Sequence, residues 1–391
     1  MHMLVFFAYN VKKSYVSKRG EAVRLIVSFF LAIMLLFSTY PIMAQASVSV
    51  SAESAVLMDQ TTGRVLYEKN ADNPDLIASI TKIMTAIIAI ESGKLNDKVK
   101  VSQNAIYTEG SSIYLQEGDN YTLEELVYGL MLRSGNDAAV AISEHIGESE
   151  QGFVYLMNEK ARWLGMANTH FDNPHGLDSE THYSTAYDMA LLMRYASQNE
   201  IFQKISQTKK YTPASKKYVW FNKNKLLTRL YEYCTGGKTG FTKAAGRTLV
   251  TTAEKNGQIL IAVTIDAPSD WDDHISMFEY GFSNYPLQKI QESGIFPWKV
   301  EDTDAIKRGL IEEMVYYPLS ESERKKITSQ TYLTNKELPF DQIGEKVFYL
   351  DGEKIADVPI YKAEDDKSTE TDSWLKNLLQ MLTRFTGDTN G

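Results

Sequence analysis

The chain has 391 residues and a net charge of −9, with 43% hydrophobic and 23% charged residues. This composition is typical of a soluble globular protein long enough for two domains, and the lack of a basic patch or nucleic-acid motif argues against DNA or RNA partners. Cys234 is the only cysteine, so no internal disulfide can form, and the six scattered histidines show no metal-ligand spacing. We therefore expect no metal site and no cofactor.

The first 46 residues have the pattern of a secretory signal peptide. A basic stretch within residues 11–24 precedes an apolar run from Leu25 to Phe37, and Ala44-Gln45-Ala46 provides the small residues of a cleavage site. We expect cleavage after Ala46; the alternative is an uncleaved membrane anchor. An exported protein without disulfides fits the outer face of a bacterial cytoplasmic membrane, where we expect peripheral attachment.

Residues 47–290 alternate between helical and strand-like patterns and are predicted to form the main domain. An almost wholly apolar segment from Ile80 to Ile90 indicates a buried helix, and Thr122-Leu123-Glu124-Glu125 has the capping-box pattern that begins another. Asn256-Gly257 is typical of a hairpin turn. In chain order, the predicted elements are a hairpin of 55–59 and 64–68, helices at 80–90, 122–131, 138–146 and 153–164, a loop-rich stretch at 166–188, helical periodicity at 185–206, strands at 247–253 and 258–265, and a helix at 269–285.

The pattern changes near residue 296, after which strand-like segments alternate with turns. Residues 296–362 are predicted to form a small β domain with a hairpin turn at Asp351-Gly352, and residues 363–372 a polar linker. Residues 373–387 then place apolar side chains on one helical face and polar ones on the other. We expect this amphipathic helix to lie in a membrane surface; the alternatives are an ordinary packing helix or a dimer contact.

Three short motifs occur in the main domain in a fixed order. They are Ser79-Ile80-Thr81-Lys82, Ser134-Gly135-Asn136 and Lys238-Thr239-Gly240. The first two are weak signals alone, because further copies of each pattern occur elsewhere in the chain, whereas Lys-Thr-Gly occurs once. Their order and spacing together indicate one active site: a serine nucleophile with a lysine beside it, a Ser/Asn wall, and a basic strand opposite.

Ser79 is the candidate nucleophile and Lys82 the candidate base. Ser79 begins the predicted buried helix, where its backbone N–H is an unpaired first-turn donor that can face a developing oxyanion. Lys82 lies one turn further along the same face, within reach of the Ser79 hydroxyl. A serine hydroxyl needs a base at neutral pH, and apolar surroundings with nearby cations lower the pKa of a lysine. The alternative is that Lys82 merely covers apolar surface.

The second motif lies at a break between two predicted helices. Together with Lys238, the first residue of the third motif, it provides a candidate proton path. Ser134 is a candidate for passing a proton to the leaving amine, and Asn136 for binding the substrate amide and steadying Lys82. The alternative is ordinary helix capping, with Asp137 as the cap. Lys238, predicted to begin a strand, supplies positive charge for a substrate carboxylate and for the proton relay through Ser134.

The residues that follow Lys238 are candidates for substrate binding. Thr239 can hydrogen-bond the same carboxylate, and Gly240 has no side chain, so substrate backbone can approach closely. The backbone N–H of Phe241 is the candidate second oxyanion donor. Arg247 is a further candidate for the carboxylate, and its alternative is a surface ion pair. A site of this kind performs acyl transfer on a peptide that ends in a free carboxylate.

These residues resemble those of the low-molecular-mass penicillin-binding proteins, which are serine-type D-alanyl-D-alanine carboxypeptidases. The resemblance covers residues 50–385 and is carried by ASITKIMTA, LRSGNDAAVA and GGKTGFT, and by NPHGLD followed by HYSTAYDMA. Within the family, the chain is most similar to the sporulation-associated carboxypeptidase of endospore-forming bacteria. The resemblance implies an α+β fold like that of serine β-lactamases and DD-peptidases: an antiparallel sheet flanked by helices, a small all-β C-terminal domain and a C-terminal amphipathic anchor.

The resemblance also implies a function and its partners. Such enzymes remove the C-terminal D-alanine from peptidoglycan pentapeptide stems, which limits cross-linking, here in spore peptidoglycan at the forespore or mother-cell membrane. β-Lactams are their covalent inhibitors. The alternatives left open are a β-lactamase or DD-endopeptidase of the same architecture, and a wall-binding module that has lost catalysis.

Overall fold

The structure is a computed structural model that describes residues 48–214, 218–299, 306–334 and 341–363. The predicted signal peptide, most of the predicted linker and the amphipathic helix at 373–387 lie outside these ranges. The described residues belong to one compact unit, and the domain limits at residues 290 and 296 stay predictions. No helix within the described ranges has the length and apolar content needed to cross a membrane.

A central antiparallel sheet organises the first part of the chain. Its strands are β1 Ser54–Asp59, β2 Val65–Lys69, β5 Cys234–Thr242, β6 Gly246–Lys255 and β7 Gln258–Ile265, while β3 Lys210–Tyr211 and β4 Trp220–Phe221 form a separate pair. The strand order is β2-β1-β7-β6-β5, so β5 lies at an edge. The first predicted hairpin is confirmed as β1 and β2. The second joins β6 to β7 through Asn256 and Gly257, whose φ angles of 54° and 78° suit a tight hairpin turn.

The helices of this part largely follow the predicted periodicity. They are α1 Lys82–Glu91, α2 Gln103–Ile106, α3 Leu123–Tyr128, α4 Asn136–Gly147, α5 Glu150–Trp163, α6 Ala186–Ala196, α7 Glu200–Ser206 and α8 Asp270–Asn284. The predicted capping box is confirmed, because the side chains of Thr122 and Glu125 each accept a hydrogen bond from the other's backbone N–H. The helix predicted from Ile80 begins instead at Lys82, after a 3₁₀ turn at Ala78–Thr81.

Alternate side chains of the central sheet enter two different cores, as the strand period of two requires. Val56 and Met58 of β1 pack with α1 and most other helices, whereas Ala55 and Leu57 pack with Phe278 of α8. The sheet therefore lies between α8 on one face and the remaining helices on the other. Every residue of α1 except the last is buried, which places the first motif at the centre of the molecule.

The remaining elements are β8 Leu287–Gln291, β9 Gly294–Lys299, β10 Ile306–Ile311, β11 Val315–Pro318, α9 Glu321–Arg324, β12 Ile327–Leu333, β13 Gln342–Leu350 and β14 Glu353–Lys362. Five of these strands form a second antiparallel sheet, with the order β12-β13-β14-β10-β9. The hairpin predicted at Asp351-Gly352 is confirmed between β13 and β14.

Arg64, just before β2, donates to the Pro318 carbonyl and the Glu323 carboxylate, both at 2.5 Å, and so connects the two parts. The mixture of helices and antiparallel sheets agrees with the predicted α+β class.

Candidate active site

The first motif forms a tight turn at the N-terminal end of α1. Ser79 lies in the 3₁₀ turn, and Lys82 is the first residue of the helix. Ser79 is half-buried, and its Oγ lies 2.9 Å from Nζ of Lys82. The predicted nucleophile and the predicted base are therefore in hydrogen-bonding contact.

Lys82 is completely buried, and its Nζ lies within hydrogen-bonding distance of three oxygen atoms. Besides the bond to Ser79, its Nζ donates to Oδ1 of Asn136 (2.7 Å) and to the carbonyl of His175 (2.5 Å). Burial lowers the pKa of Lys82 well below its usual range, and the charges of Lys238 and Lys223 lower it further, against an opposing effect of Asp137. A neutral amine can accept a proton, so this environment suits a general base.

The second motif lies at a break between two helical segments, as predicted. A π-helical turn, Gly129–Arg133, ends at Ser134, whose φ of 63° is left-handed, and α4 then begins at Asn136. Nδ2 of Asn136 donates to the Glu109 carbonyl (2.6 Å), while its Oδ1 accepts from Lys82. The amide is thus held from both ends, which confirms the contact with Lys82 expected from the sequence.

The alternative considered from the sequence, in which Asp137 caps α4, is not borne out. The N-cap position is occupied by Gly135, which has no side chain to accept a bond. The buried carboxylate of Asp137 accepts hydrogen bonds from the backbone N–H groups of Ile113 and Leu115, each at 3.1 Å, and from the Ser112 hydroxyl at 2.6 Å. Asp137 therefore holds the loop that contains residues 112–115 beside the site, because hydrogen bonds to a carboxylate are strong.

The third motif lies in the middle of β5, not at its start as predicted. Lys238 is almost fully buried, and its Nζ donates to Oγ of Ser134 (3.0 Å) and to the Thr239 carbonyl (2.7 Å). Burial, followed by the charge of Lys223, lowers the pKa of Lys238 to about 7. Lys238 and Ser134 are in the hydrogen-bonding contact that a proton relay requires.

Gly240 allows β5 to pack closely against the turn that contains Ser79, whereas the sequence suggested only a close approach of substrate backbone. A Cβ at this position would lie 2.3 Å from Oγ1 of Thr248 and 2.9 Å from the backbone nitrogen of Ser79. Both distances are too short for a real side chain to occupy. The glycine is therefore needed for β5 to pack against the turn that carries the nucleophile, whatever the substrate requires.

The remaining predicted binding residues border the same strand. Thr239 is half-buried, and the side chain of Phe241 is 64% exposed. Arg247 makes a bidentate pair with the buried carboxylate of Asp270, with Nη2 2.6 and 2.8 Å from its two oxygens, and its guanidinium lies over the Trp271 ring. The ion pair considered as the alternative is thus present, and carboxylate binding by Arg247 stays a prediction.

Two features of the site were not identified from the sequence. Lys223 donates to the Ser111 hydroxyl (3.1 Å) and contributes charge to both buried lysines, yet no motif surrounds it. The backbone of His175 provides the acceptor for Lys82, and only the family-like NPHGLD segment drew attention to that loop. In the part of the chain that the structure describes, no group of three His, Cys, Asp or Glu side chains is placed to hold a metal ion.

Residues 41–269, more than half of the chain, match the Peptidase S11 family, which is described as D-alanyl-D-alanine carboxypeptidase. The matched range contains all three motifs. The chain therefore belongs to this family of serine-type DD-carboxypeptidases, to which the low-molecular-mass penicillin-binding proteins also belong.

Individual relatives agree with this assignment. The D-alanyl-D-alanine carboxypeptidase DacF of Bacillus subtilis is 34% identical over 357 residues, covering 85% of this chain and 90% of the relative. The crystal structure of penicillin binding protein 5 from Haemophilus influenzae matches with a TM-score of 0.68 and 28% identity, covering 82% of this chain and 98% of that one. A mutant of the Streptomyces K15 DD-transpeptidase matches with a TM-score of 0.58 and 32% identity, covering 61% of this chain and all of that one. The family, fold class and enzyme class predicted from the sequence are thereby confirmed.

Replacing Lys223 with glutamine is expected to move the acidic limb of the pH–rate profile for penicillin acylation to higher pH. The charge of Lys223 lowers the pKa of Lys82 and Lys238, so its removal raises both. More Lys82 is then protonated at a given acidic pH, and less base is present. The measurement is the acylation rate constant between pH 5 and 9, with the exposed neighbour Lys225→Gln as the matched control. If both variants had the same profile as the unmodified enzyme, Lys223 would have no such effect.

Proposed function

We propose that the chain removes the terminal D-alanine from peptidoglycan pentapeptide stems through an acyl-enzyme on Ser79. The observation that carries the proposal is the 2.9 Å contact between the Ser79 hydroxyl and a buried lysine whose surroundings favour its neutral form. Lys238 and Ser134, in contact at 3.0 Å, provide a second proton path on the other side of the site. Two lysines in separate roles suit the two proton transfers of acyl transfer.

In acylation, Oγ of Ser79 attacks the carbonyl carbon of the penultimate D-alanine while its proton moves to neutral Lys82. The oxyanion accepts hydrogen bonds from the backbone N–H groups of Ser79 and Phe241. The C–N bond then breaks, and the amine of the terminal D-alanine takes a proton through Ser134, which Lys238 resupplies. The products of this half-reaction are a serine ester and free D-alanine.

Between the two half-reactions, Lys82 releases to solvent the proton that it took from Ser79, and Lys238 recovers from solvent the proton that it gave up. In deacylation, water attacks the ester carbonyl and gives a proton to the neutral Lys82, which passes it on to the departing Ser79 oxygen. The C–O bond to Ser79 breaks, the hydroxyl is restored, and the shortened stem leaves as a carboxylate. Lys82 is held by Asn136 and His175, so its amine stays close to Ser79 through both steps.

The substrate's terminal carboxylate is proposed to bind Lys238 and the Thr239 hydroxyl, with Arg247 behind them. The Asp270 pair satisfies part of the Arg247 guanidinium, whose side chain is still 39% exposed. In this arrangement, Arg247 acts chiefly through its positive charge, and its pair with Asp270 attaches β6 to α8.

The test is product analysis with a synthetic pentapeptide stem ending in D-Ala-D-Ala. We expect one D-alanine and one tetrapeptide for each stem consumed, as measured by chromatography and mass spectrometry. Including glycine or a D-amino acid as acceptor tests transpeptidation, which the likeness to the Streptomyces K15 DD-transpeptidase makes the second candidate. A new peptide bond to the acceptor as the main product would favour that candidate. Release of D-alanyl-D-alanine, or no turnover at all, would contradict both.

We further propose export through residues 1–46 and peripheral membrane attachment through the amphipathic helix at 373–387. Their support is the signal-peptide pattern and the two-faced apolar distribution of the C-terminal segment. Deleting residues 373–391 should release the mature protein from membranes without loss of activity. Continued sedimentation with membranes after signal removal would contradict the attachment.

A role in spore peptidoglycan is proposed from the motif likeness to sporulation-associated carboxypeptidases. Removal of terminal D-alanine leaves fewer stems able to donate in cross-linking. Spores that lack this gene should therefore have more cross-linked stems by muropeptide analysis. An unchanged degree of cross-linking in spores would place the enzyme's role elsewhere.

A further inference from the structure

His182 lies outside the three motifs and is almost fully buried, with 1% of its surface exposed. The backbone N–H of Asp172 donates to its Nδ1 at 3.1 Å. Nδ1 is therefore the unprotonated nitrogen of a neutral ring, and Nε2 carries the hydrogen. Because Nε2 lies 2.8 Å from Oγ1 of Thr81, His182 donates a hydrogen bond to the Thr81 hydroxyl.

The hydrogen bond from His182 determines the direction in which the Thr81 hydroxyl donates its own hydrogen. Having accepted from His182, the hydroxyl donates to the Ala78 carbonyl, 2.8 Å away. Ala78 and Thr81 are the two ends of the 3₁₀ turn that contains Ser79. The Thr81 hydroxyl therefore joins the two ends of this turn. At the N-cap position, the Ile77 carbonyl accepts a separate hydrogen bond from the Thr248 hydroxyl at 2.9 Å.

The turn contains backbone strain immediately before the nucleophile. Ala78 has a φ of 48°, in the left-handed region that residues with a Cβ avoid. Such a conformation persists only where surrounding contacts enforce it. On another side of Ala78, a Cβ added to Gly176 would lie 1.9 Å from the Ala78 carbonyl oxygen, so the loop containing Gly176 packs directly against it. The direction of the Ala78 carbonyl, and hence of the next residue, depends on these contacts.

We propose that His182 is a positioning residue for Ser79. By donating to Thr81, it orients the hydroxyl that holds the Ala78 carbonyl, and so it keeps the Ser79 hydroxyl aimed at Lys82. The inference depends on the proposed function only in taking Ser79 as the nucleophile.

The groups around His182 favour the neutral ring that this arrangement needs. Burial is the largest effect, and the charges of His170 and Lys82 act in the same direction, whereas Asp172 favours protonation. Together they lower the pKa of His182 to about 4. The hydrogen-bond chain is therefore intact at neutral pH.

Two substitutions of His182 separate its two hydrogen bonds. In His182→Asn, the side-chain oxygen can still accept from Asp172, but no donor reaches Thr81. In His182→Gln, the longer amide can present an N–H near the position of Nε2. We expect the asparagine variant to lower the maximal acylation rate by benzylpenicillin about 10²-fold, because small misplacements of reacting groups cost this much. The dissociation constant of the non-covalent complex should be unchanged, and the glutamine variant should recover most of the rate.

A second pair of variants tests the same chain from its other end. Thr81→Val removes the hydroxyl at nearly constant volume and should match His182→Asn, while Thr81→Ser should remain close to the unmodified enzyme. Because both residues act through one contact, the double variant Thr81→Val/His182→Asn should be no slower than either single variant.

Several results would overturn the proposal. They are equal rates for the asparagine and glutamine variants, a fall in melting temperature with an unchanged acylation rate, and losses that multiply in the double variant. Should the His182 variants fail to fold, the comparison of Thr81→Val with Thr81→Ser decides the question alone. Failure of the unmodified enzyme to acylate would instead refute the proposed function.

Discussion

Replacing Ser79 with alanine is expected to lower D-alanine release by at least about 10⁴-fold, since enzymes that lose a covalent nucleophile fall this far. The hydroxyl is the group in contact with Lys82 at 2.9 Å, and alanine leaves nothing to form the ester. Ser79 is only half-buried and loses a single hydrogen bond, so the free energy of unfolding should change by about 1 kcal/mol or less. The measurements are pentapeptide turnover and chemical denaturation.

The chain offers a matched control for this substitution. Ser322 also precedes a lysine, Lys325, by three residues, but it lies exposed in α9 and its hydroxyl contacts Ser320. Ser322→Ala should retain full activity. Substantial turnover by a clean preparation of the Ser79 variant would contradict the assignment of the nucleophile.

Replacing Lys82 with methionine is expected to lower the acylation rate by about 10²–10⁴-fold, the usual contribution of a general base. Methionine resembles the lysine stem in length and flexibility, and so it fills the same buried space without a proton acceptor of comparable strength. Asn136 and the His175 carbonyl each lose a donor, which should cost about 1–3 kcal/mol for each group left unpaired. The variant should therefore fold with a lower melting temperature.

A second substitution distinguishes the base from the charge. Lys82→Arg places a permanent cation at this position, because a guanidinium does not give up its proton in proteins. We expect it to be about as slow as the methionine variant in penicillin acylation, measured by quenched mass spectrometry. If the arginine variant kept most of the rate, Lys82 would act through its positive charge, and the proton of Ser79 would have to leave by another path.

Local patterns predicted much of the fold. The apolar segment that became α1, the capping box at Thr122 and the Asn256-Gly257 hairpin were each identified, because these features depend on neighbours in the chain. The exact start of α1 was missed by two residues. A 3₁₀ turn there depends on Thr81 and on the strain at Ala78, and neither leaves a periodic signal in the sequence.

The site was predictable where its groups belong to motifs, and it was not predictable where a residue outside the motifs acts on them. Ser79, Lys82, Ser134 and Lys238 were identified, and their contacts agree with the proposed pairs. Lys223 acts through charge across space, which no spacing rule describes. Gly240 was identified as a point where substrate can approach, which stays a prediction, whereas its packing against Thr248 and the Ser79 turn is revealed only by the tertiary structure.

The role of His182 could not be predicted from the sequence either. HYSTAYDMA contributed to the family resemblance, but a resemblance does not say what one side chain does. Its bond to Asp172 spans 10 residues of a loop, whereas its bond to Thr81 joins residues 101 positions apart. The tautomer, and with it the direction of the whole hydrogen-bond chain, follows from those two partners alone.

The most direct test of Ser79 as the nucleophile is intact-mass analysis of the mature protein after incubation with benzylpenicillin, followed by mapping of the modified peptide. We predict one persistent penicilloyl adduct per chain, located on Ser79 and absent from Ser79→Ala. An unmodified protein with unchanged drug would indicate a site without catalysis, an unmodified protein with consumed drug would indicate a β-lactamase, and an adduct on any other residue would contradict the assignment of Ser79.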